Sequence, residues 1–466
     1  MRHLAFAAAL LAAPAAADGH LPPIETTADA SVSTFTLGNG MDAIVITDRR
    51  APVVVHMLWY EAGAADEPPG RSGIAHYLEH LLFKGTDDYG PGELDRIVDG
   101  FGGSHNAFTA QDYTGYFQRV AAEHLGLMME LEADRMRDLR ITQEDILVER
   151  DVVLEERAQQ LESSPSAVLN EQIAAALFQN HPYGIPIIGW RHEMEALTLE
   201  DALSFYRRFY APNAATLVVA GDVSPEEVRA LAVEHYGPLA PTPDLAGRAR
   251  PQEPEQKAER RVMYEDPRVA NPYVARTYLA PERDAGDQEE AAALTLLAEL
   301  LGGSSATSLM GRVLEQEEGA ALWTSAFYAG QSLDDTRFGL VVMPVPGRSL
   351  EEAEADMDRM IARFLDEGID PEQLERIRTG IRATEIYARD SLQGRARAYG
   401  SAVTQGLTVA DVQDWPRVLE AVTEADIMAA ARRVFDRDRS VTSYADRPSD
   451  DAADATDATT DGEVSQ

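Results

Sequence analysis

Two histidines and a glutamate, His76, His80 and Glu79, are the residues of this sequence whose types and spacing best suit metal chemistry. Residues four apart lie on one face of an α-helix, so the two imidazoles would stand side by side with the carboxylate next to them. Neutral imidazoles are good zinc ligands, and a catalytic zinc lowers the pKa of water so that a nearby carboxylate can take its proton. The order H-x-x-E-H is the inverse of the commoner zinc motif H-E-x-x-H. For so short a motif, the alternative is two surface histidines that flank a glutamate by chance.

The run 72–85 around this motif is predicted to be a helix that ends at Gly85. Apolar residues recur in it at i, i+4, i+7 and i+8, which predicts one apolar stripe. The residues of this stripe are Ile74, Leu78, Leu81 and Leu82. The two histidines point roughly away from the stripe. A helix that buries one side and offers two imidazoles and a carboxylate on another is typical of a metal-binding helix.

A second predicted helix carries two more carboxylates. A capping-box pattern at 142–145 indicates where this helix begins. Glu149 and Glu156 are seven residues apart, which is two helical turns and therefore one face. Val153 shares that face, which indicates partial burial rather than a solvated acidic surface. A buried carboxylate needs a cation or a metal.

Strands are predicted on both sides of the first helix. The runs 35–37 and 42–47 flank a Gly-Asn-Gly turn and predict a hairpin, and 52–60 predicts a mostly apolar strand. The β-rich run 102–117 is predicted to be a hairpin or an edge strand. His105 within it is interpreted as a polar surface residue rather than as a further ligand.

Composition and the first residues point to an exported protein. The chain has 466 residues, no cysteine and a formal net charge of −38, which argues against nucleic acid and anionic membranes as partners. Residues 1–17 resemble a secretory signal peptide, with Arg2, a short apolar core and a small-residue cleavage site. No other run has the apolar length of a membrane span. The expected location is a bacterial periplasm.

The runs 76–86 and 149–156 resemble the zinc helix and the glutamate motif of the pitrilysin/insulinase metallopeptidases, a family that includes mitochondrial processing peptidase. Glu156 follows His80 by 76 residues, a separation similar to that of the family. The resemblance implies one Zn²⁺ per chain. The zinc ligands that it implies are His76, His80 and Glu156. It also implies that Glu79 is the general base and that Glu149 orients a ligand histidine.

The run that follows the zinc helix resembles the edge strand with which this family binds extended substrates by β-augmentation. The matching residues are Gly103, Asn106, Ala107 and Thr109. The function implied is that of a zinc metalloendopeptidase that hydrolyses unstructured peptides in an enclosed chamber. A non-catalytic scaffold or chaperone-like subunit is disfavoured because the ligand set and Glu79 are intact. A zinc hydrolase of a non-peptide substrate is disfavoured by the edge-strand motif.

An internal repeat indicates two similar domains. The pattern around Thr198 and Arg208 recurs around Thr423 and Arg433, at an offset of 225 residues. The predicted fold is α+β, with two homologous domains that each contain a mainly antiparallel sheet and packed helices. The predicted segments are a zinc-binding domain at 31–240, a linker at 241–261, a second domain without the zinc motif at 262–447 and a disordered acidic tail at 448–466.

The second half departs from the family pattern. Where single-chain relatives carry an arginine and a tyrosine that help to hold substrate, this sequence has Glu315 and Leu322, and Arg312 lies out of register. Either the pair has drifted, or a partner supplies it. We expect a heterodimer with a homologous subunit that carries the Arg/Tyr pair, with a homodimer as the alternative.

Overall fold

Runs rich in β-branched and aromatic residues form the strands of two sheets. The structure, a computed structural model, describes residues 21–245 and 247–448. The predicted signal peptide, and the predicted tail from residue 449 onward, lie outside the described residues. Within the described residues, no helix combines the length and the apolar composition that crossing a bilayer requires.

The first half of the chain forms a seven-stranded sheet in the described residues, with the order β1-β2-β3-β7-β4-β6-β5. Its strands are β1 (Glu25–Thr26), β2 (Val32–Thr36), β3 (Asp42–Thr47), β4 (Val53–Tyr60), β5 (Ser104–Thr109), β6 (Thr114–Ala121) and β7 (Ala215–Gly221). Strands β3 and β7 are parallel, and the other neighbours are antiparallel. The predicted hairpin and the predicted edge strand are confirmed as β2–β3 and as β5, which within residues 21–245 and 247–448 pairs with β6 alone.

The second half forms a five-stranded sheet in the described residues, with the order β10-β11-β9-β12-β8. Its strands are β8 (Arg260–Glu265), β9 (Tyr273–Ala280), β10 (Ala321–Tyr328), β11 (Thr336–Pro344) and β12 (Ser440–Asp446). Only β12 and β8 are parallel among these pairs. Both sheets are therefore mainly antiparallel, as predicted.

Helices cover both sheets. Those of the first half are α1 (Ile74–Leu81), α2 (Glu93–Gly100), α3 (Leu125–Arg137), α4 (Gln143–Arg157), α5 (Pro165–Leu177), α6 (Arg191–Met194), α7 (Leu199–Phe209) and α8 (Pro225–His235). Those of the second half are α9 (Glu289–Gly302), α10 (Leu350–Glu367), α11 (Pro371–Ala388), α12 (Leu392–Thr404), α13 (Val409–Ala421) and α14 (Glu424–Val434).

The repeat predicted from the sequence is confirmed in the structure. Helices α7 and α14, and strands β7 and β12, begin and end at positions 225 residues apart. Each helix starts with the same capping box, Thr198 with Asp201 and Thr423 with Asp426. The order β3-β7-β4-β6-β5 of the first sheet also matches β8-β12-β9-β11-β10 of the second. The fold is α+β with two homologous domains, and the first adds β1 and β2.

Residues 241–245 and 247–259, which join the two sheets, form neither helix nor strand. Arg250 from this segment is nearly buried and forms ion pairs with Asp66 and Asp112 of the first half and Asp334 of the second. The segment therefore links the domains along the chain, and the ion pairs of Arg250 also hold the two domains in contact. The exact boundaries at 240 and 261 stay predictions.

One helix of each half packs on the sheet of the other half. Helix α12 of the second half packs on β7 and β4 of the first sheet, and α5 of the first half packs on β12 and β8 of the second. Gly400 on α12 lies so close to the indole of Trp59 that a Cβ there would come within 2.1 Å of a ring atom. The exchange buries apolar surface of both sheets, so neither half has a complete core alone.

A buried charge network under the second sheet predicts a pH-dependent stability. The Glu354 carboxylate accepts hydrogen bonds from Arg261, Arg276 and Arg437 at 2.7, 2.7 and 2.6 Å, and from Tyr444. Burial alone would raise its pKa, but these hydrogen bonds and the arginine charges lower the pKa to about 2. Because the folded-state pKa lies below the unfolded one, this stabilisation is present above about pH 4.5 and is lost as the pH falls toward 2.

We therefore expect Glu354→Gln to lower the melting temperature by several degrees at pH 7, because the buried guanidinium of Arg276 loses one of its two carboxylate partners and keeps only Asp358. The difference from the wild type should shrink as the pH falls from 4.5 toward 2, because in this range the Glu354 carboxylate is protonated in the unfolded chain but still ionised in the folded one. Thermal unfolding followed by circular dichroism measures both. The exposed Glu351→Gln on the same helix is the control. A difference that does not change with pH would contradict the prediction.

Candidate metal centre

Helix α1 is held at its start by the partly buried carboxylate of Glu67. Glu67 accepts hydrogen bonds from the backbone N–H groups of Gly73 and Ala75 at 2.8 and 2.9 Å. These are two of the four N–H groups that a helix start leaves without partners. Burial raises the pKa of Glu67, and the two hydrogen bonds oppose that rise. The cap fixes where the helix begins, and thereby where its histidines lie.

Two glycines allow the loop that contains Gly189 to approach the start of α1 closely. Gly73 and Gly189 have φ angles of +86° and +80°, a region that disfavours other residues. A Cβ on Gly189 would lie 2.4 Å from the carbonyl oxygen of Ser72, and one on Gly73 would lie 2.6 Å from that of Ile188. The predicted helix 72–85 is shorter in the structure because Gly73 is not helical, and because a tight turn follows Leu81.

The three side chains predicted to bind zinc come together in the structure. His76 Nε2 and His80 Nε2 lie 3.7 and 3.4 Å from Glu156 Oε2. The three ligand atoms all lie within 4.8 Å of one another. A tetrahedral ion bound at about 2.1 Å to each ligand requires separations of about 3.4 Å. Two imidazole nitrogens and one carboxylate oxygen at these distances fit zinc and leave a fourth position open.

The protonation state of His76 also suits a metal ligand. Burial and the charge of His80 lower the pKa of His76 to about 4. At neutral pH its imidazole is therefore uncharged and has a lone pair to donate. All three side chains are only partly exposed, at 14%, 23% and 26%, so a small solute can reach the group.

A second carboxylate stands behind the ligands. Glu149 Oε2 lies 3.3 Å from His80 Nδ1, and Glu149 Oε1 forms an ion pair with Lys84. A hydrogen bond from Nδ1–H to Glu149 would leave Nε2 of His80 free to bind the metal. Sequence reasoning found Glu149 through the resemblance but missed Lys84, whose place four residues after His80 was the available signal.

Glu79 lies between the histidines and the free edge of the sheet. Its pKa is raised by burial, against a hydrogen bond of 2.6 Å that Thr109 Oγ1 donates to its Oε2. Asn106 and Ala107 lie on the same edge strand β5, with Asn106 exposed. Gly103 directly precedes the strand, and a Cβ there would lie 2.8 Å from a carbonyl oxygen of β6.

His105 lies outside this group, but it is a partly buried residue of strand β5 and not the polar surface residue interpreted from the sequence. Its Nε2 lies 3.3 Å from Asp95 Oδ1, and the described residues that could hold a metal do not include it.

The two second-half residues that replace the family's arginine and tyrosine, Glu315 and Leu322, lie beside β10 and in β10, respectively. Glu315 accepts hydrogen bonds from the backbone and hydroxyl of Thr324 at 2.8 and 2.7 Å, and the side chain of Leu322 is 51% exposed.

The comparisons with known proteins identify the family of the chain. Residues 43–190 match the family model "Insulinase (Peptidase family M16)", and 196–381 match "Peptidase M16 inactive domain". A chain of Mycobacterium tuberculosis named an uncharacterized zinc protease is 30% identical over 82% of this chain and 85% of that one. The chain belongs to the insulinase family, peptidase family M16.

Solved structures of the family share the fold. A protease from Helicobacter pylori superposes with a TM-score of 0.83 and 26% identity, over 92% of this chain and all of that one. The periplasmic protease PqqL from Escherichia coli superposes with a TM-score of 0.78 and 17% identity. The match covers 94% of this chain but 51% of PqqL, so the M16 chain described here spans about half of that structure.

Proposed function

We propose that this M16 chain is an exported zinc metalloendopeptidase that hydrolyses unstructured peptides. The observation that carries the proposal is the meeting of the His76, His80 and Glu156 ligand atoms beside Glu79. A zinc ion held by these three residues would polarise a substrate carbonyl and lower the pKa of water. The family membership and the relatives named zinc proteases support this chemistry.

The residues around the ligands have separate roles in this mechanism. Glu79 takes a proton from the attacking water and passes it to the leaving amine. Glu149 keeps His80 oriented by accepting a hydrogen bond from Nδ1. The free edge of β5, with Gly103 beside it and Asn106 and Ala107 in it, pairs with an extended substrate backbone. Most backbone N–H and C=O groups of a folded protein are already paired in its own helices and sheets, so the substrates proposed are unstructured peptides.

The test of this function is a zinc measurement combined with digestion of a peptide library. We expect one zinc per chain and endoproteolytic products that disappear on chelation and return with added zinc. Stoichiometric zinc without cleavage of any peptide, with and without a partner, would instead favour the non-catalytic scaffold. Export to the periplasm, which residues 1–17 and the location of PqqL support, is tested by the N-terminus of the mature protein.

We also propose that a homologous exported subunit completes an enclosed chamber. The carboxylate of Glu315 accepts hydrogen bonds from Thr324, and neither this side chain nor that of Leu322 can donate a hydrogen bond to a peptide carbonyl. PqqL, whose length is about twice the matched segment, supports a second half facing the first. The partner would carry the Arg/Tyr pair and lack the zinc motif. A homodimer in which Arg312 acts instead is the alternative, but Arg312 contacts Gln373 of its own chain at 3.3 Å.

Adding such a partner to the purified chain should raise kcat/KM for an unstructured peptide by about 10- to 100-fold. One charge-assisted hydrogen bond to a substrate carbonyl contributes about 1.5–3 kcal/mol, which corresponds to that range. The measurement is steady-state cleavage by the chain alone and with the candidate partner. A partner whose arginine is replaced by alanine is the control. Full activity of the isolated chain, unchanged by the partner, would show that the partner hypothesis is wrong.

A further inference from the structure

The hydroxyl of Thr109 makes the one hydrogen bond that the Glu79 carboxylate accepts within residues 21–245 and 247–448. Its length, 2.6 Å, is typical of a strong hydroxyl–carboxylate bond. The bond is made to Oε2, which leaves Oε1 to accept a proton. A general base must lie within hydrogen-bond reach of the proton that it takes, and a misplacement of 1 Å can cost about 100-fold in rate. The single hydrogen bond therefore decides where the base points.

The backbone of β5 gives this hydroxyl a defined direction. Side chains alternate along a strand, so Ala107 and Thr109 face α1 while Phe108 faces the opposite side. Phe108 packs edge-to-face on Trp59, with ring centroids 4.9 Å apart. Across the hairpin, Gly115 leaves room for the Phe108 ring, because a Cβ there would come within 2.4 Å of it. This anchor fixes the register of the strand, and β-branching restricts χ1 of Thr109.

We infer that Thr109 is a positioning residue for Glu79, an inference that rests on the proposed peptidase function. The resemblance assigns Thr109 to the substrate-binding strand, and its backbone belongs to that strand. Its side chain points to the base instead. One strand thereby aligns the substrate backbone through its free edge and aligns the base through its last side chain. The position of the attacking water relative to the scissile bond is set by a single rigid element.

Kinetics of matched variants test this role. Thr109→Val keeps the shape but removes the hydroxyl, and we expect kcat to fall at least 10-fold with KM and zinc affinity unchanged. Thr109→Ser, which restores the hydroxyl, should recover most of kcat. Thr36→Val is the control, because Thr36 also donates a 2.6 Å hydrogen bond to a carboxylate, that of Asp42, on the same sheet but away from the metal ligands. A Thr109→Val variant that raises KM alone, or that keeps kcat within twofold, would overturn the inference.

A double-mutant cycle separates this role from simple damage to the strand. If Thr109 acts through Glu79, Thr109→Val should have no further effect on kcat in a Glu79→Gln background. Additive losses would overturn the inference.

A binding measurement keeps the test independent of turnover. A phosphinic peptide, which resembles the tetrahedral transition state and contacts the base, should bind Thr109→Val about 10-fold more weakly than wild type. Equal affinity would overturn the role of Thr109. A wild-type chain that binds zinc and the phosphinic peptide but cleaves nothing would instead overturn the proposed function, while the affinities of the variants still decide the role of Thr109.

Discussion

Replacing Glu79 with glutamine should lower kcat by at least ~100-fold while one zinc per chain stays bound. Glutamine keeps the shape of the side chain but cannot accept a proton, and a positioned base contributes a factor of this size. The surroundings of Glu79 allow the exchange, because the amide oxygen can still accept the hydrogen bond from Thr109. Steady-state kinetics on an unstructured peptide measure kcat, and zinc analysis of the same preparation measures the metal content.

Glu155→Gln is the matched control for this experiment. Glu155 precedes the proposed ligand Glu156 on α4, but its side chain is not among the three in the described residues that could hold a metal and contacts Gln159 instead. The control should keep both zinc and kcat. Near-normal turnover of Glu79→Gln would rule out the role of base. Loss of zinc from Glu79→Gln would show that Glu79 acts as a ligand.

Much of the candidate metal centre could be predicted because its spacing is local. His76 and His80 share a face of α1, and Glu149 and Glu156 share a face of α4, since both pairs follow from the helical period. That the two helices meet did not follow from the period, because packing between elements far apart in the chain leaves no local pattern. The resemblance to the family supplied that step. The repeat was predictable because two similar runs of residues can be recognised in the sequence itself, whatever those residues contact in the fold.

The contacts that hold the site in place were not predictable. Glu67, which caps α1, lies in a loop with no helical pattern, and its partners are backbone groups rather than a recognisable side chain. The exchange of α5 and α12 between the domains was also missed, because an amphipathic helix shows that one face is buried but not what covers it. Gly400 on α12 is a local trace of this exchange, because it lies against Trp59, but a glycine inside a helix has several explanations.

Replacing His80 with alanine should remove the metal and the activity together. The substitution deletes one of the three proposed ligands. It also removes the imidazole ring that contacts Glu149, which is itself paired with Lys84. Two remaining ligands hold zinc at least ~100-fold more weakly, since even the loss of a group that only supports a ligand costs 10- to 100-fold in affinity. Competition with a chromogenic chelator measures the affinity, and thermal unfolding gives a second reading. Added zinc should raise the melting temperature of the wild type but not that of the variant.

His192→Ala is the control for this last experiment, because the His192 side chain is 79% exposed on α6 and belongs to no candidate metal group in the described residues. It should keep the zinc stoichiometry, the zinc-dependent rise in melting temperature and kcat. Glu149→Gln should give an intermediate result, with zinc affinity lowered by about 10- to 100-fold, because it alters the orientation of His80 but removes no ligand. Stoichiometric, tightly bound zinc in His80→Ala would show that the metal lies elsewhere and that the ligand assignment is wrong.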